Sequence, residues 1–525
     1  MFLILLGILL ITLFYLFGVK PLFAWERRGV KQAGFAETLG SNYFSLLTRR
    51  TLIDFVRELY GKFPGYRYYG MYQLNRSLLI VKDLDLLKQM TVKDFEHFNE
   101  HKDFVPEEVD PIFAKSLFSL KGNEWRTMRS ALSPAFTSSK MKVLYLLMLE
   151  NTEKCMNFLL NKKENLLEIE MKDLTSKFCN DVIASCAFGT EVDSFKNPDN
   201  EFFVYGKELT DFRKIPRMIS FFISYLFPRI SKLFNVKFTS DEIYDFFTKL
   251  IEDTIKLREE KGIVRPDMVH LLMEARKGNV ATEETVDVDT GYATVEEHLK
   301  ASDTCAITNA DIVSQAFLFF FAGFDSVSTL MSFMAYELCI NEDVQNKLRD
   351  EIEETSEACK NKPSYEALVN MKYLDMVVSE ALRKWPAQVG FERVCIKPYT
   401  IKPVLPHEKP VDVDVGQSIF VPVYGVHHDP ELFPDPEAFD PERFSDENKN
   451  NIKSCAFMPF GLGPRNCIGS RFALLETKIL FFFLLKHFKI VPVEKTEIPL
   501  KHGKNLFSIL PTNGFWMGLE RIQKV

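Results

Sequence analysis

The chain is short of tryptophan, with 4 in 525 residues, and it has no CxxC pair among its nine cysteines. Those cysteines lie at 155, 179, 186, 305, 339, 359, 395, 455 and 467, odd in number and widely scattered. Such a pattern excludes a disulfide framework and a zinc finger, and it fits a body kept in a reducing compartment. Basic charge is not in excess either. The formal net charge is −7 and no dense Lys/Arg run occurs, so the footprint of a nucleic-acid binder is missing. There is no internal repeat, and no flavin or dinucleotide motif is visible. Phenylalanine, by contrast, is abundant at 48 residues, which argues for a large aromatic interior and against disorder.

Charge is also missing from residues 1–19, MFLILLGILLITLFYLFGV. As a helix they span roughly 28 Å, about the thickness of a bilayer core. A cleaved signal peptide would bring a basic start, a shorter apolar core and small residues at the cut, none of which is clear here. The expectation is a transmembrane signal anchor over 1–20, a linker over 21–40 and one domain over 41–525. Lys20, Arg27, Arg28 and Lys31 follow the apolar run, so the positive-inside rule leaves that domain cytoplasmic.

Periodicity predicts a mainly helical body with small β elements. Aromatic and β-branched residues on either side of Asn75-Arg76-Ser77 read as a hairpin over 66–81. Residues 242–276 carry apolar groups three and four apart, while 278–303 is acidic, Thr-rich and loop-like. From Ile312 to Tyr336 the only formal charge is Asp325, and Thr308 with Asp311 forms a candidate capping box. The length suits a second membrane span. The central Asp and the amphipathic flanks favour instead the buried central helix of a large domain. FFISYLFPRI, 221–230, is too short to span; it reads either as core or as a segment dipping into a membrane surface.

The sharpest local signal is Phe460-Gly-Leu-Gly-Pro-Arg-Asn-Cys-Ile-Gly469, followed by an apolar helix. A Gly-rich turn before a helix can aim N–H groups and the helix dipole at a sulfur and favour its thiolate. By itself it could also cradle a phosphate, though phosphate loops have other spacings and need no Cys.

FGLGPRNCIG resembles, position for position, the haem-binding loop F-x-x-G-x-R-x-C-x-G of cytochrome P450 enzymes. That resemblance implies the cytochrome P450 fold, mainly α with small β-sheets, and haem b bound through Cys467 as axial thiolate, whose electron donation favours O–O cleavage. Three further segments are similar to family motifs. Glu380-Ala-Leu-Arg383 looks like ExxR, and Arg443 of Asp440-Pro-Glu-Arg443-Phe like its later partner; the three are expected to form a scaffold ion-pair network. Trp125-Arg-Thr-Met-Arg129 resembles WxxxR, and with Arg465 and Arg393 it supplies donors for the haem propionates. Ala322-Gly323-Phe324-Asp325-Ser326 resembles A-G-x-[D/E]-T, with Gly323 leaving room for dioxygen and Asp325 and Ser326 as the catalytic proton relay. Ser326 replaces the usual Thr, and so loses the methyl that restricts its rotamer.

The resemblance covers roughly residues 40–525 and is nearest to microsomal drug-metabolising members, insect ones especially. One departure is the stretch WERRGVKQAGFAETLGSN, which lacks the proline-rich hinge usual after the anchor. The implied reaction is oxygen insertion from O2 into apolar small molecules at the endoplasmic reticulum membrane. Electrons come from NADPH through a flavoprotein reductase, and membrane lipid is a further partner. Lys121, Arg126, Lys140, Lys142, Arg471 and Lys478 form a candidate docking face for that reductase. The pocket walls expected are 104–120, 203–235, Phe317 to Asp325, 386–391 and the stretch around Phe507. Two other classes stay open on the residues alone: a haem-thiolate isomerase or dehydratase acting on peroxides, and a non-catalytic haem carrier or sensor.

Overall fold

The structure is a computed structural model that describes residues 19–34, 50–73, 76–102, 105–211, 215–277, 291–294, 307–504 and 509–522, together with Thr12 and Tyr15. Most of the expected anchor, most of the acidic loop over 278–303 and Phe507 therefore lie outside the described residues. In chain order a helix over Leu52–Gly61 precedes a hairpin, β1 (Tyr68–Gln73) and β2 (Arg76–Val81), with α1 (Gly122–Leu132) and α2 (Ser138–Leu160) further on. Next come β3 (Leu166–Glu170), α3 (Met171–Ile183), α4 (Glu201–Thr210), α5 (Ile215–Leu226) and α6 (Pro228–Leu233). α7 (Asp241–Lys261) and α8 (Met268–Arg276) precede the central α9 (Asn309–Ile340) and α10 (Lys372–Lys384). The C-terminal part holds β4 (Phe391–Val394), β5 (Tyr399–Ile401), β6 (Val411–Val413), β7 (Ser418–Val421) and the short α11 (Val423–His427). It ends with α12 (Ser470–His487), β8 (Phe488–Val491) and β9 (Trp516–Arg521).

α9 is the axis of the domain. Thr308 and Asp311 close its start in a reciprocal capping box. Residues from Ile312 to Cys339 are mostly buried by protein, so its apolar character answers to a core and not to lipid. α3 and α7 pack along it. Its Phe320 and Phe324 join Phe188, Phe202, Phe203 and Phe247 in a network of edge-on and tilted rings, offset from the face-to-face sandwich that aromatic quadrupoles disfavour. The amphipathic stretch over 242–276 is two helices. Gly262 adopts a left-handed φ of 61° after α7, and Asp267 caps α8 while pairing bidentately with buried Arg258 at 2.6 and 2.7 Å.

Small sheets frame this helical body. One has the order β1-β2-β7-β4, with β2 and β7 parallel; a second runs β3-β9-β8, and β5-β6 stands as a hairpin. The segment after residue 20 is stitched onto the first sheet. Gly70 N–H donates to Lys31 O at 2.8 Å and Ala33 N–H to Gly70 O at 3.2 Å. Trp25 is fully buried, and Arg28 reaches Asp412 O, Gln417 and Asp414. Gly70 is the residue that admits the indole: a Cβ there would lie 2.3 Å from Trp25 Cβ.

Within the core, α12 buries Glu476 completely, and neither of its carboxylate oxygens has a hydrogen-bond partner among the described residues, although the Cys179 thiol of α3 bears on it. Burial pushes this carboxyl up to about 8 from an ordinary 4.5, against the thiol's weaker opposing effect. A raised acid is protonated in the fold but ionised in the unfolded chain above about 4.5. Its favourable contribution is therefore present below that pH and lost as pH rises through about 8. Glu476→Gln should gain stability over the parent across that window and match it near pH 4.5, as read by denaturant unfolding. Gly70→Val should cost about 1–3 kcal/mol by overpacking, and the same melt should show that loss reduced in a Trp25→Ala background.

Candidate active site

Cys467 sits at the end of a loop whose backbone is folded onto itself. Cys467 N–H donates to Phe460 O at 2.9 Å, Asn466 N–H to Gly463 O at 2.9 Å and Gly461 N–H to Met458 O at 3.1 Å. Gly463 has a φ of 69°, and a Cβ there would meet Thr91 O at 1.9 Å, so only glycine lets the loop press on the segment beneath it. α12 begins at Ser470, immediately after the loop. The Cys467 side chain is crowded by protein yet accessible, which places its open face on an internal recess. Burial pushes the thiol up, while the Gly469 N–H and the Arg129 guanidinium pull it down. The polypeptide alone therefore does not complete the thiolate. A metal cation on the open face would, because coordination removes the proton.

Three guanidinium groups converge beside that loop, all buried. Arg465 donates to Asn99 O at 2.7 Å, Leu120 O at 2.7 Å and Leu117 O at 3.3 Å, and its guanidinium lies 4.1 Å from the Trp125 ring centroid. Arg129 of α1 donates to Asn466 O at 3.0 Å and to Asn466 Oδ1 at 2.8 Å. Arg393 of β4 donates to Arg465 O at 3.3 Å. His101 lies against Arg393 and stacks on Phe118 with ring centroids 4.5 Å apart. Burial, then the like charges of Arg393 and Arg129, press Arg465 down to about 8 despite Glu100; burial lowers Arg393 to about 10. Desolvation, Arg393 and Arg465 also hold His101 well below its ordinary range. Buried positive charge of this density calls for an anion. Among the described contacts, these guanidiniums donate mainly to carbonyl oxygens, and the acid that bears on Arg465 is Glu100. Two carboxylates in one bound molecule answer that imbalance, so the residues present fit a haem whose propionates lie here.

On the other side of the recess runs α9. Phe136 stands near Gly469 and packs edge-on to Phe319 at 5.4 Å, which ties the Cys loop to this helix. Phe319, Ala322 and Ser326 share one helix face by their three- and four-residue spacing. Ala322 and Ser326 are accessible in the middle of an otherwise buried helix, so that face opens on the recess. Ser326 Oγ donates to Ala322 O at 2.5 Å. Asp325 turns to α3 instead, where Lys172 Nζ donates to Asp325 Oδ1 at 2.8 Å, Asp325 O at 3.0 Å, Ser328 Oγ at 2.7 Å and Thr329 Oγ1 at 2.8 Å. The acid and the hydroxyl expected to act together thus occupy different faces. Gly323 also differs from expectation. Its missing Cβ points at Ile183 Cδ1, 2.9 Å away, so it serves close packing of α3 on α9.

Phe113, Phe238 and Phe321 meet edge-on at 5.5–5.9 Å, and Phe221 reaches Phe238 at 6.5 Å. The walls expected from 104–120, 203–235 and 317–325 are thereby brought together. Behind the Cys loop, Arg383 holds Glu380 in a fully buried bidentate pair at 2.7 and 2.8 Å, and Arg443 Nε stands 3.5 Å from Glu380 Oε1. Burial raises Glu380 against the pull of Arg383. The expected basic docking face is reduced. Lys478 is buried and paired with Asp375 at 2.9 Å, while Arg126 and Lys142 are paired with Glu96 and Glu366. Sequence reasoning missed His101, Lys172 and His427; no local motif marks them, because each meets its partners across long stretches of chain.

A sequence model of the cytochrome P450 family matches residues 40–517. The chain is 43% identical to Cytochrome P450 9e2 of Blattella germanica, over 97% of this chain and 96% of that protein. It is 41% identical to Probable cytochrome P450 9f2 of Drosophila melanogaster, over 90% of each, and 34% identical to Cytochrome P450 6k1 of Blattella germanica, over 98% and 95%. With a thiol facing a recess, a cluster of buried cations on its rim and this span of likeness, the chain belongs to the cytochrome P450 family, as a haem b monooxygenase that draws on O2 and NADPH-derived electrons.

Proposed function

We propose that this chain oxygenates apolar small molecules, xenobiotics or endogenous lipophiles, with Cys467 as the residue that would hold the haem iron through its thiolate and Trp125, Arg129, Arg393 and Arg465 as those that would hold the propionates. The observation that carries this reading is a juxtaposition: three buried guanidiniums stand beside the loop of the accessible Cys467, and Phe136 and Phe319 tie that loop to α9, whose Ala322 and Ser326 are accessible. The haem supplies O2 binding and activation there. The protein's residues do the rest. The Cys loop fixes the sulfur, and the guanidiniums orient the carboxylates. The edge-on Phe113, Phe238 and Phe321 rings exclude water and select apolar surface.

Proton delivery falls to Ser326 and Asp325. Ser326 holds its proton on Ala322 O, and rotation about χ1 turns it towards the recess. Asp325 lies adjacent in sequence and is held by Lys172, so supply from the acid requires that this tether yield. Glu380, Arg383 and Arg443 are scaffold. A flavoprotein reductase using NADPH is the electron source we infer, because no motif for binding a flavin or dinucleotide is visible.

An anchor over residues 1–20, a linker to residue 40 and a cytoplasmic-facing domain over 41–525 at the endoplasmic reticulum membrane complete the proposal. Its support is the uncharged 1–19 run with basic residues after it, together with Ile219, Phe227, Ile230, Leu233 and Phe234 exposed on and just after α5 and α6.

The carbon monoxide spectrum of the reduced protein tests the ligand. Wild type should show the thiolate-ligated band and Cys467→Ala should lose it; a wild type without that band would overturn the assignment. For the relay, Ser326→Ala should raise peroxide released per NADPH consumed, and Ser326→Thr should lower it below wild type. Equal coupling in all three would mean that the hydroxyl plays no part.

A further inference from the structure

α11 ends in a histidine that the haem chemistry does not use, yet both ring nitrogens are engaged and the ring is fully buried. His427 Nε2 accepts from Met458 N–H at 3.0 Å. That contact requires a bare Nε2, so the proton sits on Nδ1, which donates to Arg383 O at 3.1 Å. Arg383 Nη1 answers with a bond to His427 O at 2.9 Å. The two residues thus clasp each other through both backbone carbonyls, while the same guanidinium holds Glu380. The ring stacks on Phe457 with centroids 5.6 Å apart.

Beyond Met458 the bonds run on without a gap. Met458 O accepts from Gly461 N–H, and Phe460 O accepts from Cys467 N–H. We propose that His427, as a neutral Nδ1–H tautomer, is a positioning residue that ties the buried Glu380–Arg383 pair to the Cys467 loop and sets where the sulfur stands. Burial, then the Arg383 charge, push the imidazole down to about 3, which keeps Nε2 an acceptor throughout the physiological range. A doubly protonated ring would turn an N–H on the Met458 N–H and open the clasp.

This inference rests on Cys467 being the ligand. The experiment uses the full chain as holoenzyme, in wild-type, His427→Phe and His427→Gln forms. Phe fills the site without either bond. Gln carries an acceptor and a donor about as far apart as the two ring nitrogens, so it restores both. Helical content and haem per chain are measured first, then the thiolate-ligated carbon monoxide band and the midpoint potential of the haem. His427→Phe should keep its helices but lose most of that band, and its potential should move positive as thiolate donation weakens; His427→Gln should recover both readouts.

A Phe variant with the wild-type band and potential overturns the inference. So does a Gln variant as defective as the Phe variant, including the case where the Phe variant binds no haem; recovery by Gln in that case supports it. A wild type lacking the band would overturn the assignment of Cys467 instead.

Discussion

An ion pair held entirely away from water is a costly thing to build, because each charge forfeits several kcal/mol of hydration before attraction repays it. Glu380 and Arg383 are such a pair, and the repayment comes from saturation. Both carboxylate oxygens accept from Arg383, Asp440 N–H adds another bond, and the remaining guanidinium donors go to His427 O and Ala438 O. These partners come from three stretches of chain: α10 itself, α11 and the segment around Ala438 and Asp440. The pair is therefore less a contact than a junction, at which α10, α11 and the segment leading to the Cys loop are made to agree. Removing one member would leave the other buried and unpaired, with the whole rear of the site to rearrange around it.

The front of the site has the opposite electrostatic character. Behind the loop, charges are balanced by the protein; on its rim, Arg129, Arg393 and Arg465 bring three buried positive charges close together, and burial and the neighbouring like charges press Arg465 down. Such an arrangement strains the empty protein and rewards an anionic guest. If these residues hold the cofactor as proposed, its binding would be coupled through them to the stability of the domain.

What could be read from the chain alone followed from how local the physics was. The hairpin, the capping box of α9 and the Gly-rich turn before Cys467 depend on neighbours a few residues away, and each stands where periodicity and spacing put it. ExxR was visible as a helix-face pair, but its complete burial was not, since burial depends on what packs over it. The direction of Asp325 was illegible for the same reason. Nothing near it in the chain announces Lys172, 153 positions earlier, which turns the carboxylate away from Ser326. His101 and His427 escaped notice because their roles rest on contacts with residues far along the chain, Arg393 for one and Arg383 and Met458 for the other. Lys478 was misread as surface charge because a lysine after a Cys loop looks solvated until Asp375 is seen beside it.

The seam between Trp25 and Gly70 bears on how the protein is to be shortened. Lys31 and Ala33 occupy the outer edge of β1, and the indole fills a slot that glycine leaves open. A soluble version that starts at or before Lys20 keeps this plug and the covered strand edge. One that starts after Gly34 discards a buried tryptophan and exposes backbone groups of β1, the kind of bare edge through which separate copies adhere. The natural place to cut therefore lies upstream of the tryptophan, ahead of all that the sequence alone would pass off as linker.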